Sequence, residues 1–243
     1  MISKNQLKLI TSLSQKKYRT KHQLFVVEGI KMVHELLNST FLLKHLFYTE
    51  DFEATTIKNK TLISHNELKK ISNLKTPNKV LALFEIPSQK TIQKEEFILA
   101  LDGINDPGNL GTIIRLCDWF GVKQIVCSTN TVDLYNQKVA QATMGSLTRV
   151  QVNYTHLHSF LSDSNLPIYI ADMNGENLYK STLPKNGILV MGNEANGISK
   201  EIKLLDKVNI TIPRFEATQQ TESLNVATAT AIILSEFRRN FTH

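Results

Sequence analysis

Residues 97–121 read FILALDGINDPGNLGTIIRLCDWFG, and this stretch decides the architecture. Phe97-Ile98-Leu99-Ala100-Leu101 is an unbroken apolar run, the pattern of a strand buried on both faces of a parallel sheet. Residues 102–111 follow as a turn-rich loop, and residues 112–120 as a helix stopped by Gly121. The pattern then repeats outward: strand 124–127, helix 137–147, strand 149–152, helix 156–162, strand 168–171 and strand 188–191. Such alternation implies an α/β unit, a mostly parallel sheet with helices on both faces.

Three polar loops leave these strands at their carboxyl ends, 105–115, 192–197 and 213–225, where open parallel sheets bind ligands. In the first, Gly103, Gly108 and Gly111 do not form a G-x-G-x-x-G fingerprint, and Pro107 interrupts the turn, so a dinucleotide site is excluded. Arg115 stands in an otherwise apolar helix (Ile113, Ile114, Leu116, Cys117), where a cation is costly unless paired. Glu194 is one candidate partner; a surface position beside Asp118 is the plainer alternative. In the third loop a short alternating run (Ile210, Ile212) stops at Pro213, which cannot donate to a central ladder. A polar segment, 216–222, leads to Ser223-Leu224-Asn225, and these open a helix of small apolar residues (Val226, Ala227, Ala229, Ala231, Ile232, Ile233). Alone, Ser223 and Asn225 describe a capped core helix. Three such loops at one edge describe a shared polar site.

Composition narrows the function classes. The chain has 243 residues, is 42% hydrophobic and 21% charged, and carries a net charge of +6. Residues 1–92 hold 15 Lys and Arg against 7 Asp and Glu, so the basic character belongs entirely to the first third. That asymmetry suggests a module facing a polyanion. No run of about 18 apolar residues is present, so no membrane span is expected, and residues 1–5 lack a signal-peptide core. Cys117 and Cys127 each sit in apolar surroundings, as buried thiols of a reducing cytoplasm do. His156 and His158 lack a third ligand nearby, and no metal is expected.

Residues 1–20 form a basic helical stretch around Leu7, Ile10 and Leu13. Then come strand 25–29, helix 30–37, strand 42–48, short helix 67–71 and strand 79–86, a small α/β module. Its candidate phosphate contacts are Lys16, Lys17, Arg19 and Lys21. The polar stretch 87–96 contains the linker, giving a basic, polyanion-facing domain 1–90, a linker 91–96 and a second domain 97–243.

Together the loops resemble the three motifs of the SpoU/TrmH branch of the SPOUT RNA methyltransferases. Asn109-Leu110-Gly111-Thr112-Ile113-Ile114-Arg115 is similar to the first. Leu189-Val190-Met191-Gly192-Asn193-Glu194 with Gly197 is similar to the second, and Ile212-Pro213 with Glu222-Ser223-Leu224-Asn225-Val226-Ala227 to the third. Ala142-Thr143-Met144-Gly145-Ser146-Leu147 also fits the family pattern. Phe25-Val26-Val27-Glu28-Gly29 resembles the ribosomal-protein-like domain that precedes many such enzymes.

The resemblance implies a C-terminal SPOUT-type parallel sheet with a trefoil knot, a rare exception to unknotted chains. It implies a homodimer with its site near the interface, S-adenosylmethionine as cofactor, and methyl transfer to a ribose 2′-hydroxyl of structured RNA. Met191, Gly192, Ile212, Leu224 and Asn225 fall at cofactor positions. Asn109, Arg115, Glu194, Ser223 and Asn225 fall at catalytic or site-shaping ones. Negative charge develops on the acceptor oxygen, and a fixed cation such as Arg115 would stabilise it; a guanidinium is ill suited to act as a simple base. One departure stands out: many relatives have a glycine soon after the Ile-Pro pair, where this chain has Glu216 and a longer loop. Ribosomal RNA is favoured over transfer RNA because of the appended basic domain. The alternatives are a transfer RNA substrate, or a non-catalytic RNA-binding protein that keeps the knotted scaffold.

Overall fold

The computed structural model describes residues 1–94, 96–215 and 223–239. In chain order it contains α1 (Lys4–Ser12), α2 (Lys16–His22), β1 (Leu24–Glu28), α3 (Ile30–Leu37), β2 (Leu43–Tyr48), β3 (Lys60–Leu62), α4 (His65–Ile71) and β4 (Val80–Glu85). Then follow β5 (Ile98–Asp102), α5 (Pro107–Trp119), β6 (Gln124–Ser128), α6 (Gln137–Thr143), β7 (Gln151–Thr155) and α7 (Leu157–Ser162). The rest comprises β8 (Ile168–Asn177), β9 (Ile188–Gly192), α8 (Lys200–Lys203), β10 (Val208–Thr211) and α9 (Val226–Arg238). Two compact units result: Met1–Ser88 with Asp133–Thr148, and Gln89–Val132 with Arg149–His243.

The first unit is built on a sheet of order β1-β4-β2-β3. β1 and β2 run antiparallel to β4, and only β3, which the sequence pattern did not reveal, is parallel to its neighbour. Ser3 with Gln6, and Ser64 with Glu67, form capping boxes that start α1 and α4; each satisfies two otherwise orphaned donors. Ile10, Leu13, Leu68 and Ile71 of this helical layer pack on Val26, Phe47 and Leu83 of the sheet. A side chain of this kind contributes about 1.5–3 kcal/mol when fully buried.

The segment Asp133–Thr148 belongs to this unit by polar as well as apolar contacts. The buried Glu28 carboxylate accepts from Ser72 Oγ, from the Asn73 N–H at 3.0 Å and from Gln137 Nε2. Tyr135 lies against Phe25 with ring centroids 4.8 Å apart. Burial, and then the neighbouring Asp133 charge, push the Tyr135 phenol up from its ordinary pKa. The helix expected over 137–147 ends at Thr143, because Met144 and then Gly145 take φ of 53° and 100°. A Cβ at residue 145 would lie 2.7 Å from Glu35 Cγ, so only glycine fits this turn.

The second unit has the expected parallel sheet, six strands in the order β10-β8-β9-β5-β6-β7. On one face Leu157, Leu161 and Ile202 pack on Ile98, Ala100, Val126 and Val190. On the other, Phe237 of α9 sits between Phe97 and Tyr169 at 5.0 and 5.3 Å. Cys117 and Cys127 are free and buried, and burial raises both thiols far above their usual range. No helix among the described residues is long and apolar enough to cross a membrane.

Three further elements, all in the second unit, differ clearly from the sequence expectation. α5 starts at Pro107 rather than at 112, since Asp106 Oδ1 accepts the Asn109 N–H at 2.8 Å. Proline in the first turn lacks only an N–H that would be orphaned there anyway. β7 runs 151–155 rather than 149–152. β8 continues past 171 because its register against β10 jumps: Asn209 pairs with Ile170, but Ile210 pairs with Glu176. Residues 171–175 bulge from the ladder as a result, and a bulge re-aims side chains.

Candidate active site

The carboxyl ends of β5, β9 and β10 lie at one edge of the sheet, and a cavity of about 460 Å³ opens there. The β8 bulge supplies Ala171, Asp172 and Met173; the end of β9 supplies Met191 and Gly192. The loops add Glu194, Ile212, Ser223 and Leu224, and α9 turns Val226, Ala229 and Ile233 toward the same space. Positions 226, 229 and 233 share a face of a helix, and the small Ala229 leaves room there. All four apolar or glycine residues singled out from sequence for the cofactor (Met191, Gly192, Ile212, Leu224) therefore line one cavity.

The turn after β9 is fixed from several sides. Asn193 Oδ1 accepts from Ala195 N and Asn196 N at 2.9 and 3.0 Å, while its Nδ2 donates to Gly103 O at 2.6 Å. The buried Asp102 carboxylate accepts the Ser199 N–H at 2.7 Å. A Cβ on Gly192 would lie 2.5 Å from the Gly197 carbonyl carbon and 2.7 Å from Ile198 N. Gly192→Ala is therefore expected to destabilise the protein by about 1–3 kcal/mol through overpacking. A urea midpoint equal to wild type would show that the turn can move aside.

Three of the predicted polar residues join in one hydrogen-bonded chain. Asn225 caps α9, its Oδ1 accepting Ala227 N at 2.9 Å and Thr228 N at 3.2 Å. Its Nδ2 then donates to Asn109 Oδ1 at 2.9 Å, and Asn109 Nδ2 donates to Glu194 Oε1 at 2.6 Å. The order is dictated by chemistry. A carboxylate only accepts, so Asn109 must turn its NH₂ to Glu194 and its oxygen to Asn225. Asn225 must then direct its own oxygen to the helix N–H groups. Each of these links is worth about 0.5–1.5 kcal/mol, and together they fix the Glu194 carboxylate at the cavity wall.

Ser223 lines the cavity and its hydroxyl makes no hydrogen bond among the described residues. Arg115 is exposed and is not among the described residues lining the cavity. Glu194, one partner suggested for it, is bonded to Asn109 instead, and Asp118 pairs with Arg149 at 2.9 Å. Arg115 makes no ion pair among the described residues. The polar loop 216–222, including Glu222 of the third motif, lies outside the described residues.

Sequence reasoning missed Asp172. Its carboxyl is held below the usual carboxylate range by the Asn174 N–H at 3.0 Å and, against burial, by Lys203 at 3.4 Å. Asp172 belongs to no quoted motif, because a strand pattern hides a bulge; Asn193 falls within the second motif, but its part in fixing the turn is not legible there. No group of His, Cys, Asp and Glu among the described residues is arranged to hold a metal ion.

In the first unit, Lys16, Lys17 and Lys21 of α2 are exposed, and Lys17 Nζ lies 4.8 Å from the centre of the Tyr18 ring. Arg19 differs from its expected place among surface cations: it is only 3% exposed. Its Nε and Nη2 donate to Asp133 Oδ2 at 2.9 and 2.6 Å, and Nη1 to the Leu13 and Ser14 carbonyls at 2.9 Å each. The guanidinium is committed to holding the fold of this unit.

Comparison with known proteins places these features in context. Residues 96–235 match the family described as the SpoU rRNA Methylase family, and residues 4–82 match an MRM3-like substrate binding domain. The chain is 29% identical to the 23S rRNA (guanosine(2553)-2′-O)-methyltransferase RlmP of Bacillus subtilis, over 93% of each protein. A structure of a TrmH-family protein from Porphyromonas gingivalis superposes with a TM-score of 0.89 at 36% identity, covering 99% of both chains. An AdoMet-bound rRNA methyltransferase from Sinorhizobium meliloti does so at 0.87 and 27% identity, covering 100% of this chain and 98% of that one.

Proposed function

This chain belongs to the SpoU rRNA Methylase family, and from that premise we propose that it transfers a methyl group from S-adenosylmethionine to a ribose 2′-hydroxyl of ribosomal RNA. The observation that carries the reading is the single cavity in which Met191, Gly192, Ile212 and Leu224 meet, with Glu194 and Ser223 at its wall. Its volume, about 460 Å³, falls in the range of small-molecule and cofactor sites, and apolar walls with a few polar groups are their usual lining. S-adenosylmethionine supplies, when bound, a methyl group activated by the sulfonium to which it is attached.

The chain's own residues divide the remaining work. Met191, Gly192, Ile212 and Leu224 would hold the cofactor, and residue 192 has no side chain because the backbone of Gly197 and Ile198 lies against it. Asn225, Asn109 and Glu194 keep one fixed polar arrangement through their hydrogen bonds, which orients the acceptor ribose. Ser223 would bond the hydroxyl. Arg115 stabilises the negative charge that develops on that oxygen. A homodimer with the site near its interface accommodates an Arg115 that is not among the described cavity-lining residues of its own chain. The trefoil knot, the cytoplasmic location and the division into a substrate-binding domain 1–90, linker 91–96 and methyltransferase domain 97–243 belong to the same proposal. Lys16, Lys17 and Lys21 make its RNA contacts; Arg19 is left out, being spent internally.

Incubation with methyl-labelled S-adenosylmethionine and separate pools of unmodified ribosomal and transfer RNA tests the proposal. Label is expected in ribosomal RNA. Label in transfer RNA alone would overturn the substrate assignment, and label in neither would overturn the enzymatic one. Lys16, Lys17 and Lys21 changed together to Gln are expected to weaken RNA binding and to flatten its dependence on log salt concentration by up to roughly three phosphate contacts. An unchanged slope would remove α2 from the RNA surface.

A further inference from the structure

The cavity has a buried floor and an open rim. On the floor, Met191, Ile210 and Ile233 are at most 2% exposed. On the rim, Met173, Tyr179, Phe215 and Leu224 are 63, 46, 84 and 49% exposed. Those four are among ten large hydrophobic side chains exposed among the described residues, so exposed apolar surface is concentrated at this one opening. A concentration of this kind marks a binding surface.

Two of the four are aromatic, and Tyr179 is presented by defined backbone. Tyr179 sits on the 3₁₀ turn Leu178–Lys180, whose first residue is fully buried and whose Tyr179 N–H is capped by Asn177 Oδ1 at 2.9 Å. Phe215 follows Pro213, whose ring fixes its own φ, at the point where the third loop departs from the family pattern. Between them in sequence, the exposed Arg214 donates from Nη2 to Met173 Sδ at 3.5 Å. The rim thus combines two aromatic faces with a cation.

We propose that Tyr179 and Phe215 stack on an unpaired nucleobase of the RNA substrate, with Arg214 serving its adjoining phosphate. The inference rests on the methyl-transfer reading. A cofactor buries most of its surface in its site and so takes the floor, whereas the acceptor ribose must arrive through the mouth. A base carried past the rim meets aromatic faces, the means by which proteins bind unstacked RNA bases irrespective of pairing.

Filter binding of ribosomal RNA, and separate equilibrium binding of S-adenosylmethionine, would be measured on the full chain for wild type, Tyr179→Ala, Phe215→Ala and Phe215→Trp. Each alanine variant is expected to lose roughly tenfold in RNA affinity, with cofactor affinity unchanged and Phe215→Trp close to wild type. Weakened cofactor binding with unchanged RNA binding would assign the rim to the cofactor and overturn the inference. Unchanged values for both ligands would overturn it too. Methyl transfer by the wild type, assayed in parallel, is a separate readout: its absence defeats the enzymatic reading, whereas the RNA affinities decide the rim.

Discussion

Arg115→Ala is expected to lower methyl transfer by about two to three orders of magnitude, the usual cost of removing one charge-stabilising donor from a reacting oxygen. S-adenosylmethionine affinity should stay close to wild type, because Arg115 is not among the described residues lining the cavity. Protein stability should also hold, since the side chain is exposed and makes no ion pair among the described residues. That combination separates a catalytic cation from a structural one: a structural arginine would cost stability, and a cofactor ligand would cost affinity. Arg115→Lys keeps the charge but not the planar fork, so partial activity is expected. An Arg115→Ala enzyme with near wild-type turnover would remove the assignment.

Arg19→Ala carries the largest expected stability effect, about 3–5 kcal/mol, because it strands a mostly buried carboxylate. Arg19 and Asp133 side chains are only 4% and 16% exposed, and the Leu13 and Ser14 carbonyls would lose their donor as well. Replacing both partners, Arg19→Met with Asp133→Leu, is expected to recover much of the loss, since no unpaired charge remains. Urea unfolding of the two variants would decide; a loss below about 1 kcal/mol in the single variant would mean that the pair behaves like an ordinary surface bridge.

The contrast between these two arginines shows where sequence reading succeeds and where it stops. Both lie in helices, but only α5 is long enough, at 13 residues, for its apolar stripe to show Arg115 as an anomaly. In the seven-residue α2 no stripe can be read, and Arg19 looked like one more surface cation. Its partner is 114 positions away, so the burial follows from tertiary structure alone. The parallel sheet of the second unit was legible because runs such as 97–101 and 188–191 are apolar without alternation, as two-sided burial requires. The start of α5 is written in Asp106-Pro107: proline breaks a strand or helix interior, but in the first turn of a helix it is favourable.

The cavity was legible in its motif residues and not in its shape. The motifs group Met191, Gly192, Ile212 and Leu224, and set Asn109, Glu194 and Asn225 near one another; the order of their hydrogen bonds follows only from the placed side chains. The β8 bulge has one local mark, Gly175, where a Cβ would lie 2.6 Å from the Asn209 and Ile210 backbone, as a glycine at a bulge or close approach requires; Ile168 and Ile170 give a normal strand pattern, and the size of the register jump is not in the sequence. Exposed aromatics such as Tyr179 and Phe215 belong to no periodic face, so the rim emerges only once the loops are placed.

Alkaline hydrolysis of the labelled RNA decides whether the acceptor is a ribose 2′-oxygen. Alkali cleaves through the 2′-hydroxyl, so a 2′-O-methylated ribose protects the bond beside it. Label is expected in alkali-resistant dinucleotides; label recovered in mononucleotides would place the methyl on a base and exclude the ribose acceptor.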